Sequence, residues 1–143
     1  MKKIKQVRIA IIAANFHPDI TQKLIDGALA TLQEAAITKE NIMIQLVPGC
    51  FELPLACQQA LRQKKYDAAI VLGCALRGET DHYTAIMNGA TQGVMDVMLR
   101  CGKPVGFGLI FARTRTQALA RCQGGKNYGS GAARAIISML STL

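Results

Sequence analysis

The run AAIVLGCAL, Ala68–Leu76, carries no charge and breaks directly on Arg-Gly. It is too short to cross a membrane, which takes roughly 18 apolar residues. It is too uniformly apolar for a strand with one wet face, so it reads as a strand covered on both faces. VRIAIIAA, Val7–Ala14, is β-branched and nearly continuous, and reads the same way. Strands of this kind demand a layer on each side of their sheet, and that demand narrows the fold more than any other feature of the chain.

The rest of the chain supplies those layers. DITQKLIDGALATLQEA places Ile20, Leu24, Ala28 and Leu32 on one helical face with polar residues between them. NIMIQLV, Asn41–Val47, reads as a second strand, and a helix follows from Glu52 to Gln63, with Pro54 tolerated in its first turn. After Ala68–Leu76 a helix runs from Asp81 to Arg100, and PVGFGLIF, Pro104–Phe111, makes a fourth strand. TRTQALARC is a helix, GGKNYGSG a glycine-rich break and AARAIISML a last helix. This alternation predicts an α/β chain, a three-layer α/β/α sandwich around a four-stranded parallel sheet with right-handed crossovers. The length of 143 residues fits one domain, residues 1–143, with no repeat and no internal linker.

Composition excludes several classes. Half of the residues are hydrophobic and no low-complexity tract occurs, which argues against disorder. The basic start MKKIK precedes an apolar stretch, as in a signal peptide. That stretch is short and leads into NFHPDIT instead of a small-residue cleavage site, so it is expected to be the first strand of a cytoplasmic protein. The five cysteines are odd in number and lack CxxC spacing, which predicts free thiols and no metal site. The net charge is +8. The basic residues are scattered along the chain, without interleaved aromatics, so nucleic acid is not expected as a partner, nor is a membrane. A positive field that gathers small phosphorylated substrates is equally compatible with that charge.

In an open parallel sheet, ligands bind at the carboxyl ends of the strands. That rule selects NFHPD, PGCFE, RGETDH and the region after Phe111. In RGETDH, Gly78 permits close backbone approach where a helix begins, and exposed N–H groups with the helix dipole behind them suit an anion. Thr80 adds a hydroxyl and Arg77 a charge, whereas Glu79 and Asp81 would repel a phosphate they faced. Asp81 or Thr80 acting simply as the helix N-cap is the structural alternative. His82, in the first turn, is placed to exchange protons near neutral pH. Phe51 and Phe16 offer flat apolar walls, and Glu52 an acceptor for a polyhydroxy chain. Neither a GxxxxGK[ST] loop nor a GxGxxG fingerprint is present, which disfavours a nucleotide cofactor.

PGCFELP, LGCALRGETDHY, PVGFG and ALAR, in this order and from about Val7 to the last helix, resemble the 6,7-dimethyl-8-ribityllumazine synthase family. The resemblance implies a flavodoxin-like fold and the condensation of 5-amino-6-(D-ribitylamino)uracil with 3,4-dihydroxy-2-butanone 4-phosphate, releasing phosphate and water, without metal or organic cofactor. It implies a homo-pentamer or a multiple of pentamers, with active sites between subunits and riboflavin synthase as a partner enzyme. Carried over by motif, Phe16 stacks on the pyrimidine, and Cys50, Phe51 and Glu52 line the ribityl pocket. Backbone of Cys74, Ala75 and Leu76 holds the uracil edge, and Gly78, Glu79 and Thr80 form the phosphate turn. His82 transfers protons, Arg121 binds phosphate, and Phe107 comes from the adjacent subunit. Lys126 and Tyr128 compete for the position of the family's lysine. Two other readings share the fold: an archaeal-type riboflavin synthase, against which RGETDH argues, and a non-catalytic lumazine- or flavin-binding or shell-forming homologue.

Overall fold

The buried strands dictate the architecture. A computed structural model describes residues 2–143. It contains β1 (Ile9–Ala14), α1 (Pro18–Glu34), β2 (Ile42–Val47), α2 (Leu53–Leu61), β3 (Ala68–Leu76), α3 (His82–Cys101), β4 (Val105–Ala112), α4 (Arg115–Cys122) and α5 (Tyr128–Thr142). The four strands form one parallel sheet in the order β2-β1-β3-β4. Ile9 lies opposite both Ile42 and Ala68, and Leu72 lies opposite Gly108. The most apolar strands, β1 and β3, take the two central places, where both faces are covered.

Side chains alternate across β1, so Ile9, Ile11 and Ala13 join α1, α4 and α5, while Ala10, Ile12 and Ala14 join α2 and α3. Each fully buried Ile or Leu contributes about 1.5–3 kcal/mol over leaving it in water. The expected stripe Ile20, Leu24, Ala28 and Leu32 is fully buried on α1. Thr21 shares that face, and its hydroxyl donates to the Ala14 carbonyl at 2.6 Å, which fixes the start of α1 to the end of β1.

Two glycines allow close packing that no side chain would. A Cβ on Gly93 of α3 would meet the Pro54 ring at 2.7 Å, and one on Gly106 of β4 would meet the Ala132 carbonyl of α5 at 2.4 Å. The expected elements hold to within a few residues, with one difference. The break expected over GGKNYGSG is shorter, because α5 already begins at Tyr128. Asn127 explains this: its side-chain oxygen accepts from the N–H groups of Gly129 and Ser130, and its amide donates to the carbonyls of Lys23 and Cys122. One capping residue thus ties α1, α4 and α5 together and starts a helix through a glycine-rich stretch.

Candidate active site

The carboxyl ends of β1, β2 and β3 open into a cavity of about 470 Å³. Its residues come from three chain reversals. The first follows β1, where the Asn15 N–H bonds the Val47 carbonyl and Phe16 projects into solvent, 74% exposed. His17 follows at the N-cap of α1, its ring edge-on to Phe16 with centroids 5.1 Å apart. The second reversal is a 3-10 turn, Cys50–Glu52, between β2 and α2. It buries Cys50 and leaves Phe51 exposed against the α3 face at Gly89. The third runs from Cys74, Ala75 and Leu76 through RGETD into α3.

Of the residues expected from the sequence, Phe16, Cys50, Phe51, Glu52, Cys74, Ala75, Leu76 and His82 all line this cavity. Gly78, Glu79 and Thr80 form the exposed turn immediately before His82. The N-cap position of α3 belongs to Asp81, but its side chain makes no capping bond; the Thr80 hydroxyl instead accepts from the His82 N–H at 3.3 Å. The remaining first-turn N–H groups have no intrahelical acceptor and are available to an anion.

Three expected residues lie elsewhere in the chain's own structure. Phe107 and Lys126 line a second hollow of about 480 Å³ between the outer edge of β4 and the start of α5, with Tyr128 and Arg134. Arg121 is half-buried on α4 and donates to the Gln117 carbonyl at 2.9 Å. Conversely, sequence reasoning misses His17, Tyr83 and Ile86 as cavity residues. Tyr83 and Ile86 follow His82 on the same helix, and Tyr83 packs edge-on against Phe111 at 6.4 Å. The available signal was the helical spacing from His82 and, for His17, its place beside Phe16.

The electrostatics separate the cavity's thiols from His17. Burial, and then the Glu52 carboxylate, push the Cys50 thiol up to about 11; burial pushes Cys74 up to about 12. Both stay protonated at neutral pH and act as small polarizable wall atoms, not nucleophiles. Burial, then the Arg115 guanidinium, hold His17 below the usual imidazole range, while Asp19 pulls the other way. Arg115 is ion-paired to Asp19, so the start of α4 is fastened to the first turn of α1 beside the cavity. The site therefore combines flat apolar walls, one carboxylate, two imidazoles and a helix start. That set can stack a planar ring, hold hydroxyls and move protons beside an anion.

Comparison with known proteins points the same way. Residues 6–143 match the family model described as 6,7-dimethyl-8-ribityllumazine synthase. A protein of that description from Tropheryma whipplei is 44% identical over 134 residues, covering 94% of this chain and 83% of its own length. One from Pediococcus pentosaceus is 39% identical over 137 residues, with 94% and 87% covered. One from Desulfovibrio desulfuricans is 34% identical over 139 residues, with 97% and 88% covered.

Proposed function

The chain belongs to the 6,7-dimethyl-8-ribityllumazine synthase family, and from that premise we propose that the cavity at the carboxyl end of its sheet is its catalytic site. The protein is a transferase of riboflavin biosynthesis that condenses 5-amino-6-(D-ribitylamino)uracil with 3,4-dihydroxy-2-butanone 4-phosphate. The observation that carries the assignment of the site is the meeting of Phe16, Phe51, Glu52 and His82 around one cavity.

The chemistry uses these groups in turn. The pyrimidine lies against Phe16 and its ribityl chain runs along Phe51 toward the Glu52 carboxylate. Its 5-amino group attacks the ketone carbon, forming a C–N bond and a carbinolamine, which loses water to give an imine. Loss of the proton from the neighbouring hydroxyl-bearing carbon expels phosphate as its C–O bond breaks. The resulting enol tautomerises to a methyl ketone, and the ribityl-bearing nitrogen attacks that carbonyl carbon, closing the second ring with loss of another water. Each stage moves a proton beside a dianion, and His82 stands next to the turn proposed to hold the phosphate, Gly78–Thr80. A positioned imidazole contributes about 10²–10⁴-fold to such transfers.

The separation of Phe107 and Lys126 from the cavity supports a site completed by a neighbouring copy, which contributes its outer β4 edge and the start of α5. Exposed apolar side chains support the same assembly: Leu46 on β2, Leu55 on α2, and Met95 and Leu99 on α3. In this reading Arg121 also acts from the neighbour, on the phosphate. The assembly is a pentamer or a multiple of one, resident in the cytoplasm, and its product passes to riboflavin synthase. Supplying both substrates and following lumazine absorbance with phosphate release tests the reaction. Equal amounts of the two products are expected. Product without phosphate, or ligand binding without product, would overturn it.

A further inference from the structure

Read along the chain the basic residues are scattered; in the fold they are gathered. The strands are parallel, so the segments preceding them converge at one end of the sheet, away from the cavity. Lys2, Lys3, Lys5 and Arg8 precede β1, and Lys39 precedes β2. Arg62, Lys64 and Lys65 precede β3, and Arg100 and Lys103 precede β4. Together these are more than half of the 17 Lys and Arg residues.

Hydrogen bonds fix their convergence. Lys2 Nζ meets the Asp67 carboxylate at 3.0 Å, Asp67 N–H donates to the Arg8 carbonyl at 2.8 Å, and Lys103 Nζ donates to the Leu61 carbonyl at 2.7 Å. Among the described residues, the acids in and around these segments are Glu34, Glu40, Asp67 and Asp96. The cavity end carries Arg77, Arg113 and Arg115 against Asp19, Glu52, Glu79 and Asp81, to which a neighbour would add only Arg121 and Lys126. The larger share of the positive charge thus lies away from the substrate pocket, and drawing in a phosphorylated substrate does not explain that share.

We propose that this amino-end pole binds the sugar-phosphate backbone of duplex nucleic acid without regard to sequence. The pole is rich in exposed lysine, a residue depleted from protein–protein interfaces, whose cores are apolar. Within these segments Val7, Ile37 and Tyr66 are buried and Ile4 is partly buried, and the exposed Leu99 beside Arg100 stands alone. The segments therefore offer no contiguous apolar centre to a protein partner and little wedge to a bilayer. Single strands are held by stacking on exposed rings. The one ring in these segments, Tyr66, is covered, with Lys65 Nζ 4.9 Å from its centroid. Point charges on flexible stems, spread over one end of the sheet, match the phosphate-contacting mode whose affinity comes from counterion release.

The test uses the full-length assembled protein and a fluorescent mixed-sequence duplex, with anisotropy read across roughly 50 to 200 mM salt. Binding is expected at low salt, equal for a scrambled duplex, and falling steeply as salt rises. The exposed double variant Lys64→Glu/Lys65→Glu is expected to bind about tenfold more weakly, with its condensation rate unchanged. No binding at the lowest salt, or equal binding by the variant, would overturn the proposal. So would tighter capture by poly-glutamate, or by anionic vesicles, than by the duplex.

Discussion

His82 and His17 are the chain's two imidazoles, and they reach one cavity from different elements. His82→Ala is expected to lower kcat by about 10²–10⁴-fold with little change in KM, as steady-state kinetics will show. At His17, burial and then Arg115 disfavour the charged form. The folded state therefore prefers the neutral ring: its contribution to stability is intact above the ordinary imidazole value and is lost as pH falls through the lowered one. In an NMR titration His17 should protonate at lower pH than a free imidazole. Arg115→Ala should move that midpoint upward, because the cation goes and the Asp19 carboxylate is freed; an unmoved midpoint would exclude Arg115 as a cause. Of the two, only His82 is legible in the sequence. Its turn, helix start and neighbours are contiguous, whereas the group that tunes His17 arrives from α4, remote in the chain.

At the scale of elements, the strands and the buried face of α1 are legible because a sheet covered on both sides needs uninterrupted apolar runs. The start of α5 is not. Glycines at 129 and 131 read locally as a break, yet Asn127 supplies tertiary hydrogen bonds that outweigh the propensity cost of about 1 kcal/mol per glycine. Gly93 poses the same contest in α3. Replacing it with Ala would gain about 1 kcal/mol of helix propensity but press a Cβ into the Pro54 ring, an overpacking cost of about 1–3 kcal/mol. A net loss is expected, read as a lower urea midpoint. A raised midpoint would show that α3 can slide away from the Phe51–Pro54 turn without cost.

For the whole molecule, the division of the expected site into two hollows is the feature that sequence spacing could not reveal, since nothing in a one-dimensional pattern says which copy a residue serves. If neighbours share each site, His82→Ala and Phe107→Ala should each be inactive alone yet regain activity when assembled together, because about a quarter of mixed interfaces combine two intact halves. No recovery on co-assembly would place both residues in the same copy's site. Charge position is equally invisible along the chain, because the parallel topology alone brings separated lysines to one end. The buried cysteines carry a last consequence. Cys122, the last residue of α4, is buried between the sheet and α1, α4 and α5. Cys57, on the inner face of α2, is buried on the other side, with burial and then Cys101 pushing its thiol up to about 12. The two sides of the sheet therefore carry built-in clocks. The rate at which an alkylating reagent reaches each thiol counts how often that side opens, and unequal rates would rank the helical layers by the order in which they let go.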